Sequence, residues 1–263
     1  HPPPKNLPTP PAPPCFRPLA ARFGPIFTPY DGNHCTARMS IIIENEIIFD
    51  DRKDAGEQLA RFLEAGLRGK DPIIFGVPRG GVEVAYYVAK RLGTELCVLV
   101  AKKLSYPWYD EFGFGAIAEE DAIFIPEQAL QPSEELIAIA VEKQRAEIRR
   151  RVEMYRHGRP LPDMRDRTVV LVDDGIATGV TLVPAIRLCR QKGAAKIIIA
   201  APVSGPTHDV HLNEADAFKV ISQPDPFFAV SQAYKHFPQL ADEDVLKFLE
   251  RSAAERPLQN RAS

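Results

Sequence analysis

From Asp51 onward, two kinds of apolar pattern alternate along the chain. In 51–67, DRKDAGEQLARFLEAGL, the spacing is helical and puts Ala55, Leu59, Phe62, Leu63 and Gly66 on one face. The run PIIFGVP at 72–78 is short, continuous and bounded by a turn, which predicts a buried strand. Residues 80–93 are again helical in period, with Gly93 where a helix stop belongs. ELCVLVAKKL at 95–104 predicts a second buried strand, and SYPWYDEFGFG at 105–115, with no period and with proline and glycine, predicts a loop. AIAEEDAIFIP at 116–126 predicts two short strands about a turn at Glu119–Asp121, and 132–158 a long charged helix. The remainder predicts a strand at 168–174, a helix at 179–193, a strand at 195–203, a weak helix near 206–215, a strand at 217–223 and a last helix over 241–255.

Continuous aliphatic strands alternating with helices predict an α/β fold: a mostly parallel sheet of about five strands covered by helices on both faces. No internal repeat interrupts the alternation. Ligands of such sheets bind at the carboxyl ends of the strands. The segments to examine are therefore GVPRGG, AKKL, DDGIATG and APVSG, each just after a predicted strand.

The most informative segment is VVLVDDGIATGVT, 169–181. Gly175 and Gly179 allow backbone angles that other residues resist, Ile176 and Ala177 lie between them, and Thr178 and Thr181 supply hydroxyls. A small-residue loop running into a helix N-terminus near Gly179 is an anion site, with phosphate its usual occupant. It is not a Walker A loop, since it lacks the terminal Gly-Lys-Ser/Thr and contains no lysine. Asp173 and Asp174 repel phosphate but suit hydroxyl donors or a cation. A sugar phosphate meets both demands. The competing reading of the two aspartates is a turn and helix-capping role.

This segment resembles the phosphoribosyl-diphosphate motif of type I phosphoribosyltransferases, in which two acidic residues follow an aliphatic strand and precede a threonine-bearing loop of small residues. GVPRGG (76–81) resembles that family's pyrophosphate loop, and AKKL (101–104) stands where the family carries basic residues before a lid. From about residue 48 to 250 the chain resembles one bacterial subgroup. The shared segments are Phe49–Gly56, Pro78–Gly81, Lys102–Leu104, Gly115–Glu119, Leu171–Gly179 and Pro224–Val230. Lys102 departs from it, because arginine is common there; the charge is kept and the bidentate geometry lost.

The resemblance implies a type I phosphoribosyltransferase fold with a small hood and a lid at 105–115. It implies transfer of ribose 5-phosphate from phosphoribosyl diphosphate to a small-molecule acceptor, with a nucleobase among the candidates, and Mg²⁺ as cofactor. By the same resemblance Arg79, Lys102, Gly80 and Gly81 face the diphosphate. Asp173 and Asp174 fix the ribose hydroxyls and hold metal directly or through substrate or water, and residues 175–181 hold the 5-phosphate. A homodimer is a further implication. A sensor that binds phosphoribosyl diphosphate without turning it over, and a hydrolase using the same site, are the alternative functions.

Composition narrows the partners. A net charge of −2 gives no basic field for nucleic acid, and no apolar run approaches a membrane span. The four cysteines, at 15, 35, 97 and 189, form no Cys-x-x-Cys pair, which fits a reducing cytoplasm. Proline crowds residues 1–38, which predicts extended, disordered chain. Met39 reads as a natural start before a domain at 39–255 and a tail at 256–263; the other reading is a proline-rich docking tail.

Other residues have ordinary readings beside functional ones. A strand alternates faces, so only one of Lys102 and Lys103 points into the site, and Lys102 is preferred. Trp108, Tyr109, Phe112 and Phe114 either stack on a base or pack a closed lid. Arg149–Arg151, interleaved with glutamates, read as a solvated helix face. His208 and His211 have no evident third ligand and read as a surface pair. Phe227 and Phe228 belong either to the hood or to the core.

Overall fold

A computed structural model of the chain describes residues 48–106, 109–127 and 132–255, without the side chains of 109–112. The readings for residues 1–38, Met39, Trp108, the side chains of Tyr109 and Phe112, and the tail at 256–263 lie outside the described residues.

The first helix, α1 (Arg52–Leu67), is capped by Asp51, whose carboxylate accepts from the Asp54 amide at 2.8 Å. Its buried stripe is Ala55, Gly56, Leu59, Ala60, Leu63 and Leu67. Phe62, assigned to that stripe from its spacing, is 50% exposed, and Gly66 is exposed. Small residues set the orientation: a Cβ on Gly56 would lie 2.9 Å from the Tyr87 ring, so the helix turns its small side toward its neighbour.

The next elements are β1 (Ile73–Gly76), α2 (Gly80–Leu92) and β2 (Glu95–Val98). Gly93 ends α2 at φ 67°, the left-handed stop expected of it. Then come β3 (Ala101–Tyr106), β4 (Tyr109–Ala118), β5 (Ile123–Phe124) and α3 (Glu134–Arg156). The chain continues through β6 (Thr168–Val172), α4 (Leu182–Gln191), β7 (Lys196–Val203), β8 (Ala217–Ser222) and α5 (Asp242–Glu255).

Five strands pair in parallel in the order β2-β1-β6-β7-β8, and β3, β4 and β5 form a separate antiparallel sheet. The period-two alternation of the parallel strands sends Ile74, Val170, Val172 and Ile198 toward α1 and α2. Ile73, Phe75, Val169, Leu171, Ile197 and Ile199 go to the opposite side, under α4. The sheet is thus buried on both faces, which is why its strands read as unbroken aliphatic runs.

Two expectations need correction. Residues 95–104 are not one strand: the run breaks at Leu99–Val100, and its halves join different sheets. A buried ion pair holds the break. Glu119 accepts from the Val100 amide at 2.9 Å and pairs with Arg156 through both carboxylate oxygens, while Arg156 donates to the Val98 carbonyl at 2.8 Å. Residues 105–115 are also not an irregular loop. All but 107–108 belong to a ribbon in which β3 and β4 pair from Ala101↔Ala118 to Tyr106↔Tyr109, with register shifts about Ser105. Phe114 is buried in it, against Tyr106. The ribbon escapes a period-two reading because its register slips and its glycines carry no apolar signal. A Cβ on Gly113 would meet the Lys103 chain at 2.4 Å.

The weak helix near 206–215 is a short 3₁₀ turn, Val210–Glu214. In the arginine run, Arg149 and Arg150 are exposed as expected, but Arg151 is 8% exposed and pairs with Glu147 at 2.7 Å.

Candidate active site

Numbered within the parallel sheet alone, the strand order is 2-1-3-4-5, and it reverses between β1 and β6. The chain leaves β1 into α2 on one face and leaves β6 toward α4 on the other, so a crevice opens between their carboxyl ends. The segments 76–81 and 173–181 form its two lips.

On the first lip, α2 begins at Gly80. Its opening amides have no intrahelical partner, and among the described residues those of Arg79, Gly80 and Gly81 find no other acceptor. The Pro78–Arg79 peptide is cis. Close approach to the other lip requires both glycines. A Cβ on Gly81 would lie 2.6 Å from the Val172 carbonyl oxygen, and one on Gly80 would lie 1.8 Å from Asp174 Oδ2. Among the described residues, Arg79 makes no side-chain hydrogen bond or ion pair.

On the second lip, Asp173 and Asp174 follow β6, which ends at Val172 and not at 174 as the pattern predicts, and both are half-buried. Asp173 Oδ1 accepts from the Asp174 amide at 2.9 Å. Burial, and after it the charge of Asp174, push the Asp173 carboxyl well above the usual carboxylate range. Asp174 is held differently. Arg52 Nε donates to its Oδ2 at 2.8 Å, and the Tyr234 hydroxyl donates to its carbonyl at 2.5 Å.

The loop beyond runs beside β7: Ile176 donates to Val203 and accepts from Gly205, each at 2.9 Å. Ile176 is buried, so it anchors the loop through its apolar side chain. Gly179 takes φ 73°, and Ala177 and Thr178 are exposed. Among the described residues, none of the amides of Ala177, Thr178, Gly179, Val180 and Thr181 has an acceptor. The helix expected from Gly179 begins at Leu182, with Thr181 at its N-cap, and that delay leaves these amides open.

Lys102 and Lys103 fall on opposite faces of β3. Lys102 is half-buried and Lys103 exposed. Burial, then the positive charges of Arg151 and Arg79, push the Lys102 ammonium below the usual lysine range. Lys102 thus senses Arg151 and Arg79 together with the carboxylates of Glu147 and Asp242, and Arg151, a residue the pattern alone assigned to a solvated face, is itself paired with Glu147.

Beyond the lips, Phe49, Ala55, Val203, Ala233 and Tyr234 form a small cluster, with Phe227, Val230 and Phe237 packed on it. Phe227 therefore packs, whereas Phe228 is 71% exposed. His208 stacks on Phe218 and His211 hydrogen-bonds Asp209 at 2.8 Å, so the two histidines have separate partners. Among the described residues, no group of three or more His, Cys, Asp or Glu could hold a metal ion.

The phosphoribosyl transferase domain family model matches residues 45–236. The chain belongs to the phosphoribosyl transferase family. A Mycobacterium tuberculosis protein named "putative phosphoribosyl transferase", found in two strains, is 42% identical over 211 residues. That match covers 78% of this chain and 47% of the relative, so the chain spans about half the length of these relatives. A Thermus thermophilus protein of known crystal structure is 37% identical with a TM-score of 0.65; the match covers 77% of this chain and 98% of that one. The expected α/β phosphoribosyltransferase fold is borne out.

The pattern reading missed the residues that hold Asp174 from outside its loop: Arg52, Tyr234 and, through Arg52, Phe237. Arg52 was within reach of it. The residue stands in the family segment Phe49–Gly56, in the first turn of an amphipathic helix, and a buried arginine there requires an anionic or carbonyl partner.

Proposed function

We propose that this phosphoribosyl transferase family member transfers ribose 5-phosphate from phosphoribosyl diphosphate to a small acceptor and releases pyrophosphate. One observation carries the reading: two sets of amides that find no acceptor among the described residues, at 79–81 and 177–181, flank a pair of carboxylates across one crevice. Phosphate groups suit the amides, and sugar hydroxyls between them suit the carboxylates.

In this reading the amides and hydroxyls of 175–181 bind the 5-phosphate. Asp173 and Asp174 orient the ribose hydroxyls and face the positive charge that develops on the ring. The anomeric C–O bond breaks, its electron pair leaves with pyrophosphate, and the acceptor's lone pair forms the new bond. Arg79, Lys102 and the amides of Gly80 and Gly81 stabilise the charge on the leaving group. Lys103 faces away and contributes only long-range charge. The ribbon β3–β4 carries Lys102 and takes the part of the lid, limiting water as a competing acceptor.

The donor set fits Mg²⁺ that arrives with substrate. Two adjacent carboxylates, with no third His, Cys, Asp or Glu grouped with them among the described residues, match a hard cation that keeps its waters and phosphate oxygens. Asp173 and Asp174 would hold it, directly or through water or substrate, and its chemistry when bound is neutralisation of diphosphate charge. Cys97 and Cys189 are free thiols pushed up to about 11 and about 12 by burial, which fits a reducing, cytoplasmic setting. We carry a homodimer in the same reading.

Asp174→Asn tests the assignment. Turnover of phosphoribosyl diphosphate should fall by about a hundredfold or more with the fold intact, while unchanged turnover would sink it. Pyrophosphate release with a panel of nucleobases separates the classes. Release only with an acceptor supports transfer, release without one indicates a hydrolase, and binding without release indicates a sensor.

A further inference from the structure

Arg52 is 6% exposed and carries a charge that needs partners in that position. It has three. Its Nε donates to Asp174 Oδ2 at 2.8 Å, its Nη1 donates to the Pro238 carbonyl at 2.6 Å, and its guanidinium carbon lies 3.8 Å from the centre of the Phe237 ring. Phe237 packs on Tyr234, whose hydroxyl holds the Asp174 carbonyl. Asp174 is thus gripped at its backbone and at one carboxylate oxygen by α1 and the 234–238 segment, neither of which belongs to the 173–181 loop. Among the described residues, no N–H donor or cation reaches Asp174 Oδ1, the Asp173 carboxyl lies against the Asp174 carboxyl, and Asp173 pairs with no cation.

We propose that Arg52 is the positioning residue for ribose recognition. It fixes Asp174 through Oδ2, so that Oδ1 is presented to the sugar hydroxyls in one orientation. It also ties that orientation to the 234–238 segment beside the crevice. The inference rests on the proposed sugar-phosphate site. A carboxylate rotates freely about its last bond when nothing holds it; the Nε bond to Oδ2, made by a guanidinium that Nη1 anchors on the Pro238 carbonyl, restricts that freedom before the sugar arrives. The guanidinium does this where an ammonium would not. It reaches the carboxylate and the carbonyl with separate nitrogens and lays a flat face on Phe237.

The test compares two ligands on the full chain, ribose 5-phosphate and inorganic phosphate, by calorimetric or displacement titration. Both need the 177–181 amides, but only ribose 5-phosphate needs Asp174. Arg52→Gln should weaken ribose 5-phosphate by roughly tenfold to a hundredfold and leave phosphate within about twofold. Arg52→Lys should recover only part of the loss. In the Asp174→Asn background, Arg52→Gln should add little, because a residue acting through another is silent once that other is gone. Should Arg52→Gln destabilise the chain too far, Phe237→Leu keeps the charge and removes the ring, and should show a smaller selective loss of the same kind. Equal affinity for ribose 5-phosphate in Arg52→Gln and the parent chain overturns the proposal, as does a parallel loss of both ligands or full additivity with Asp174→Asn. A parent chain that binds phosphate but gains nothing from the ribose overturns the sugar-phosphate site itself, whatever Arg52 does.

Discussion

Asp173 and Asp174 are adjacent in the chain but differ in surroundings: Arg52 pairs with one, while burial raises the proton affinity of the other. The folded chain holds the Asp173 proton more tightly than the unfolded chain does. Stability contributed there falls as pH rises from about 4, the ordinary aspartate value, up to the raised folded value, at up to about 1.4 kcal/mol per pH unit. Asn at 173 never charges, so Asp173→Asn should gain on the parent chain as pH rises through that window. Melting temperatures at pH 4.5 and pH 8 check it, and a gap that does not widen at pH 8 counts against it. The glycines opposite separate stability from binding. A methyl at Gly81 meets backbone, the Val172 oxygen at 2.6 Å and Asp173 Cα at 2.9 Å, so Gly81→Ala should cost about 1–3 kcal/mol or more. At Gly80 the obstacles are the Asp174 carboxylate and, at 2.8 Å, Arg52 Nε, side-chain ends that can shift together where backbone cannot. Gly80→Ala should therefore lose ribose 5-phosphate affinity by about tenfold with a smaller fall in melting temperature. Titration and thermal melts on the two variants decide between these patterns.

At the scale of elements, legibility followed periodicity. The parallel strands and the helices α2, α3 and α5 repeat one pattern without interruption, and the reading located them. Where two partners share one apolar run, pattern alone could not divide it. Residues 96–101 are apolar without a break, and what splits them is the Glu119–Arg156 pair, whose members come from other parts of the chain. The same limit hid the true face of α1, where close approach to Tyr87 outweighs the burial Phe62 would gain. Since both members of the pair are buried, Glu119→Gln should strand Arg156 and cost roughly 3–5 kcal/mol in urea unfolding. Replacing both with apolar residues, Glu119→Leu with Arg156→Met, should return much of it. A single variant as stable as the parent chain would mean that the pair does not hold the break.

For the molecule as a whole, the sheet order decides where chemistry can occur. The 2-1-3-4-5 order puts its reversal between β1 and β6, so both glycine-bearing loops meet there although about 90 residues separate them in sequence. That is why the loop residues were legible. They follow strand ends, and the topology rule needs only strand ends. The supports were less legible: Arg52 could be picked out from the Phe49–Gly56 segment, but Tyr234 lies near the other end of the described residues and no short-range pattern relates the two. A ligand seated at this reversal should stabilise the whole fold. Ribose 5-phosphate or phosphoribosyl diphosphate at a hundredfold excess over its Kd should add about 2.7 kcal/mol, or roughly 5–10 °C in melting temperature. A thermal-shift series with both, and with ribose alone as the control, measures it; no shift with either sugar phosphate would speak against the site.

One contact among the first described residues bears on the site. Ile48 and Phe49 both donate to the Ala233 carbonyl, and Lys235 and His236 donate back to Phe49 and Asp50, closing a short parallel seam beside the Phe49–Tyr234 ring pair. The segment 48–50 is therefore stitched to the tyrosine that holds the Asp174 carbonyl. Tension applied at residue 48 itself loads that seam directly. Parting the seam would free Tyr234 and slacken its hold on the Asp174 backbone, so the segment 48–50 is a mechanical handle on the site.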